Sequence, residues 1–381
     1  MSTPKDPIYL DHNATTPVLP EVVDAMLPYL REHFGNPSSA HVYGRRTHAA
    51  VETARAQVAA LIACDPDEVT FTSSGTEANN LAILGVSAAR PERMHIVSSV
   101  IEHPATQKPC AYLETQGYAI SHVPVDETGR VDSDLLATVL SSDTALVSIM
   151  HANSETGTLQ PIREIATAAH KHGALMHSDA AQTTGKISFS VDELGVDLLS
   201  IVGHKMYAPK GIGALYTRSG TTIAPQLLGG GHEQGLRSGT ENVPYIVGLG
   251  KACEIARANG DEASERIRNL RDQLWQCLND AIPGLALNGH PVLRLPNTLN
   301  VRFPRVSGNA VLANAPEIAA STGSACHTED ASASTVIRAM GLSETEALGS
   351  VRLTLGRGTS AGDVRTAADA LVRAFKAVSG S

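Results

Sequence analysis

Through the first two thirds of the chain, short β-branched apolar runs alternate with longer stretches of helical periodicity. The runs "EVTFTSS" (68–74), "MHIVSS" (94–99), "ALVSIMHA" (145–152), "ALMHSDA" (174–180) and "VDLLSIV" (196–202) read as strands. Several are apolar on both faces, as strands buried in a parallel sheet are. Between them lie "TEANNLAILGVSAA" (76–89) and "PIREIATAAHKHG" (161–173). The second carries Pro161 in its first turn, cationic side chains in its last and Gly173 as a stop. Alternation of this kind predicts an α/β fold with a mainly parallel sheet covered on both faces.

The chain has 381 residues, long for one core, so a second, smaller domain is expected. From about residue 252, "CEIARANGDEASERIRNLRDQLWQCLNDA" is helical, with a possible break at Gly260. "NTLNVRF" (297–303), "STVIRAMG" (334–341) and "GSVRLTLG" (349–356) then mix strand and helix signals. This predicts a large domain over 16–255 and a small α+β domain from 1–15 and 256–381.

Composition excludes several classes. Charged residues make up 18%, net charge is −9, and no basic stretch resembles a nucleic-acid footprint, so no direct nucleic-acid contact is expected. No apolar run approaches the ~18 residues of a membrane span. The start, "MSTPKDPIYLDHNATTP", lacks a basic region followed by an apolar core, so no signal peptide is expected. Cys64, Cys110, Cys253, Cys277 and Cys326 are widely spaced without a CxxC. Neither a metal site nor a disulfide framework is indicated, which suits a reducing cytoplasm.

Ligands of open α/β sheets sit at the carboxyl ends of the strands. "SSGTEANN" (73–80) places a helix start there, where free N–H groups suit a phosphate; taken alone, an ordinary cap by Thr76 is the commoner reading. Asp179 ends one apolar strand, and His204 and Lys205 follow another. A lone lysine usually reaches solvent, but burial lowers its pKa and suits a Schiff base. Pyridoxal phosphate needs this combination: donors for its phosphate, a lysine for its aldehyde and a carboxylate for its ring nitrogen.

At this point the chain resembles the cysteine desulfurases of the NifS/IscS kind, fold-type-I pyridoxal-phosphate enzymes. The motifs that carry the likeness run in order along nearly the whole chain: "YLDHNATTP" (9–17), "FGNPSSAH" (34–41), "FTSSGTEANN" (71–80), "EH" (102–103), "MHANSETG" (150–157), "DAAQTTGK" (179–186), "GHKMYAPKGIGALY" (203–216), "RSGTEN" (237–242), "GSAC" (323–326) and "VRLTLGR" (351–357). The resemblance implies a seven-stranded sheet, a homodimer, L-cysteine as substrate and a sulfur-acceptor protein as partner. Lys205 then takes the Schiff-base role and moves the Cα proton, Asp179 pairs with the ring nitrogen, His103 stacks on the ring, and Gln182 contacts the ring oxygen. Gly75, Thr76, Gly203 and His204 hold the phosphate, with Thr240 reaching it from a second subunit. Arg352 binds the substrate carboxylate, Asn153 lies beside the substrate, and Cys326 takes the sulfur.

Two positions depart from the family pattern. Ser154 stands where a second Asn is usual, and Val202 where a Ser is usual; both are cofactor-contacting positions, and Val202 removes a hydroxyl donor. The small neighbours of Cys326 (Gly323, Ser324, Ala325) predict a movable segment over 326–334. An aminotransferase, a selenocysteine lyase and an inactive scaffold of a sulfur-transfer complex remain alternatives. Iron–sulfur assembly, tRNA thiolation and DNA phosphorothioation are all candidate destinations for the sulfur, with a lean towards the last.

Overall fold

The computed structural model describes residues 6–323 and 333–380. Among these, twelve strands fall in chain order: β1 (Ile8–Tyr9), β2 (Val69–Thr72), β3 (His95–Ser99), β4 (Ala119–Val123), β5 (Thr144–Ser148), β6 (Leu175–Asp179), β7 (Leu198–Val202), β8 (Gly213–Thr217), β9 (Ala286–Asn288), β10 (Thr298–Arg302), β11 (Ile318–Ala319) and β12 (Ser350–Thr354). Seven form one sheet in the order β2-β8-β7-β6-β5-β3-β4. Only β8 runs against its neighbours, so β2 and the other five strands point the same way.

Strands β2, β3, β5, β6 and β7 are buried on both faces, which is why they read as continuous apolar or small-polar runs. One sheet face packs under helices 42–62, 162–171 and 243–281 through Val58, Ile62, Ile165 and Leu249. The other lies under helices 75–89 and 104–115 through Leu81, Ile83 and Leu113. A separate core gathers Leu299, Val301, Leu353 and Leu371 from the antiparallel sheet β12-β10-β9 and the last helix, Ala361–Ser379. The N-terminal β1 pairs with β11, so the chain's first strand joins this second layer of structure.

The break allowed at Gly260 does not occur: residues Val243–Ala281 form one helix. Its first half buries Ile246, Leu249 and Cys253 in the large core. Its second half buries Leu270, Leu274 and Leu278 in the small one. A mid-helix glycine costs ~1 kcal/mol, whereas each fully buried leucine contributes about 1.5–3 kcal/mol. Packing at both ends therefore carries the helix through. No helix among the described residues is long and apolar enough to cross a membrane.

Candidate active site

The loops leaving β2, β3, β5, β6 and β7 all emerge at one sheet edge, and each brings one part of a polar cluster. The helix Gly75–Ala89 starts three residues after β2. Its cap is Ser74, whose hydroxyl accepts from Glu77 N at 3.1 Å, not Thr76 as expected. The first intrahelical bond runs from Ala78 N to Ser74 O, so the N–H groups of Gly75 and Thr76 precede it and suit an anion. A Cβ on Gly75 would lie 2.2 Å from Val202 Cγ2. Only glycine lets this helix start approach the end of β7.

Asp179 ends β6 and is buried. Its Oδ2 accepts from Asn79 Nδ2 at 2.7 Å and its Oδ1 from Ala181 N at 2.9 Å. Asn79 Oδ1 has no partner. The carboxylate is thus held in place by a side chain of the phosphate-type helix. Lys205 closes the short turn Gly203–Lys205 after β7. Its Nζ donates to Asn13 O at 2.6 Å and Ala14 O at 2.7 Å, both neutral carbonyls. Burial, then the charge of Arg352, lower its pKa to about 8. A neutral amine, the form that attacks a carbonyl, is therefore within reach near neutrality.

His103 caps the helix Pro104–Thr115, its Nδ1 accepting from Ala105 N at 3.1 Å, which leaves the proton of the neutral ring on Nε2. Burial lowers its pKa, as does Lys205, against the opposing pull of Asp179. The preceding Glu102 is buried, accepts from Ser99 Oγ at 2.6 Å, and is pushed up to about 8 by burial. His204 Nδ1 meets Thr15 Oγ1 at 3.2 Å, and burial and Lys205 lower its pKa to about 4. Gln182 is buried and donates from Nε2 to Asn13 O at 3.0 Å.

Arg352 reaches the same place from the middle of β12. Its Nη2 donates to Asp11 Oδ1 at 2.8 Å and Ser321 Oγ at 3.1 Å, its Nη1 to Ser154 O at 3.1 Å, and its buried Nε has no partner. A guanidinium so placed suits a small carboxylate that exchanges with Asp11. Ser154 takes part through its carbonyl, which also accepts from Asn13 Nδ2 at 3.1 Å. Asn153 differs from the expectation of a substrate contact. Its Oδ1 accepts from Glu155 N and Thr156 N, and its Nδ2 donates to Ile101 O, so the carboxamide braces its own turn.

Thr240 is exposed on the loop before helix 243–281. Cys326, and with it the expectation of a movable segment over 326–334, falls largely outside the described residues. The flanks of 324–332 are described, and both meet Glu155. Ser334 Oγ donates to Glu155 Oε2 at 2.6 Å, and a Cβ on Gly323 (φ +88°) would lie 2.8 Å from the same oxygen. Burial raises the Glu155 pKa, and Arg352 opposes that. Gly323 and Ser334, on either side of 324–332, therefore both lie at a carboxylate that Arg352 acts on.

The sequence reading assigned no roles to Asp11, Asn13, Asn79 and Lys186. Asp11 and Asn13 stand in "YLDHNATTP", Asn79 in "FTSSGTEANN" and Lys186 in "DAAQTTGK", so the motifs signal importance, but the roles come from contacts that mostly span 100 to 341 positions. Together the set fits pyridoxal phosphate. Free N–H groups and glycine at a helix start suit its phosphate, a fixed carboxylate its ring nitrogen, and a lysine without a carboxylate partner its aldehyde.

Residues 8–366 match the family model described as aminotransferase class-V. A cysteine desulfurase of Trichormus azollae is 49% identical over 355 residues, spanning 93% of this chain and 89% of the relative. A solved NifS-like protein superposes with a TM-score of 0.90 at 36% identity, covering 96% of this chain and 98% of its own. The crystal structure of DndA from Streptomyces lividans gives a TM-score of 0.77 at 37% identity, covering 91% and 99%.

Proposed function

The chain belongs to the aminotransferase class-V family and is a pyridoxal-phosphate-dependent cysteine desulfurase of fold type I, and from that premise we propose how its residues divide the work. When bound, pyridoxal phosphate supplies a carbonyl for Schiff-base formation and a sink for electrons released at the substrate's Cα.

The helix start at Gly75 and Thr76, with Gly203 and His204, would hold the phosphate. Asp179, fixed by Asn79, would supply the carboxylate that keeps the ring nitrogen protonated. Lys205 would supply the amine that holds the cofactor's carbonyl and the base that moves the substrate's Cα proton. Arg352 takes the substrate carboxylate. His103, kept neutral at pH 7 by burial, would supply an acid or base to the site. Cys326, as thiolate, attacks the substrate sulfur: an S–S bond forms, the substrate's C–S bond breaks, and the carbon fragment leaves as alanine after taking a proton. The observation that carries this reading is Lys205, bonded among the described residues to two backbone carbonyls and sharing an electrostatic field with Asp179 and Arg352. The expected result for Cys326→Ser is normal cofactor absorbance with sulfide release abolished; a variant that releases sulfide at the full rate would sink the assignment.

The working unit we propose is a cytoplasmic homodimer. Phe34 and Tyr43 stack on each other while 79% and 51% exposed, and Leu228 is 83% exposed. Large apolar groups so uncovered mark an interaction surface, and Thr240 is free to enter a partner's site. For the sulfur acceptor, we favour a protein of DNA phosphorothioation. The likeness to DndA and the unusual "HTED" after Cys326 support this. Capture of persulfide-accepting partners on the sulfur-loaded enzyme tests it; recovery of only iron–sulfur scaffold or tRNA-thiolation proteins would redirect the proposal.

A further inference from the structure

A second lysine lies behind the site with no part in the chemistry above. Lys186 borders a surface cleft beside Leu61 and Ala256, but its amine turns inward. Its Nζ donates to Gln182 Oε1 at 2.7 Å and to Asn13 Oδ1 at 3.0 Å. Neither acceptor is charged. The charged groups that face it are Lys205 and Arg352.

Lys186, which donates to Oε1, and Asn13 O, which can only accept from Nε2, together settle which way the Gln182 carboxamide points. A primary carboxamide has one accepting and one donating end, and the two can be exchanged by rotation about the last side-chain bond. With Oε1 held by Lys186, Nε2 must face the site. One of its hydrogens goes to Asn13 O. The other is available to the cofactor. Asn13 is fixed in the same manner. Its Oδ1 accepts from Lys186 and from Asn297 Nδ2 at 3.0 Å, and its Nδ2 donates to Ser154 O and to Thr298 Oγ1 at 2.9 Å. Its main-chain carbonyl is the shared acceptor of Gln182 and Lys205.

We propose that Lys186, through its bonds to Gln182 and Asn13, is a positioning residue that makes Gln182 present a donor, not an acceptor, to the ring oxygen of pyridoxal phosphate. This rests on the cofactor reading above. A donor at that oxygen stabilises its ionised form. Without Lys186, Oε1 loses its donor and the bond from Nε2 to Asn13 O alone opposes a turn of the carboxamide; in the turned form the ionised oxygen loses a charge-assisted hydrogen bond. Such a bond is worth enough to move a titration by about one to two pH units.

The test is a pH titration of the cofactor's visible absorption in the holoenzyme, for wild type, Lys186→Met, Gln182→Ala and the double variant. The expected result is an upward shift of the midpoint by about one pH unit or more in each single variant, with no further shift in the double. A Lys186→Met midpoint equal to wild type, or single shifts that add in the double, overturns the positioning role. Should Lys186→Met fail to fold, Lys186→Gln keeps a polar side chain there but is too short to reach Gln182, and must give the same shift; a wild-type midpoint overturns the role equally. Wild-type protein that takes up no chromophore would instead overturn the cofactor reading, so the two failures are distinguishable.

Discussion

The sheet edge and the strand β12 place their functional groups in opposite ways. At the edge, Gly75, His103, Asp179 and Lys205 each follow a strand end by zero to four residues, and each is held by backbone or by a neighbour on the same layer. Arg352 sits in the middle of β12, in the other core, and reaches across to Asp11 and Ser154. Groups that hold a cofactor are thus built into one layer, and the group that receives the substrate arrives from another. Cofactor binding and substrate binding should therefore respond to mutation separately.

Arg352→Lys probes that division most strongly. A single ammonium cannot replace a bidentate guanidinium, so kcat/KM is expected to fall about 10- to 100-fold, chiefly through KM. Cofactor affinity, measured by reconstitution of apoprotein, should stay unchanged; a parallel loss of cofactor would break the division. Asn79→Leu is the converse. It removes the donor to Asp179 Oδ2 and should weaken cofactor binding about tenfold with little change in KM. The smallest effect lies in pH. Lys205 has its pKa lowered to about 8 by burial and then by Arg352, and only the neutral amine attacks the cofactor's aldehyde. Uptake of pyridoxal phosphate by apoprotein should therefore quicken several-fold as pH rises through about 8 and level off above it. Arg352→Met removes a charge that disfavours protonation, so that midpoint should move up. An unmoved midpoint would show that burial alone sets the lysine.

These tests also mark where the sequence stops being informative. The strand–helix alternation exposed the large sheet, and the strand ends pointed to Asp179 and Lys205, because period and position are local properties. Asn79 stands in the motif "FTSSGTEANN", but its role stays hidden there, since its bond to Asp179 spans 100 positions. Asn153 looked like a substrate ligand by motif, yet its carboxamide is spent on Glu155 N and Thr156 N. Lys186 ends a motif but shows its part only through its acceptors, Gln182 and Asn13. Gly260 suggested a break because propensity is local, and the two cores that pull helix 243–281 straight are not.

The bond from Asn13 N to Thr354 Oγ1 joins residues 341 positions apart, and it has a consequence for how the enzyme comes into being. During synthesis the large sheet can assemble once residue 217 has left the ribosome. Thr16 can already bond to His204, but the stretch from Asp11 to Asn13, which is bonded to Arg352 and Thr354, must wait for β12. Contacts of such long separation form late and slowly. A ribosome stalled before β12 would hold a folded sheet with Lys205 in place, but no completed catalyst.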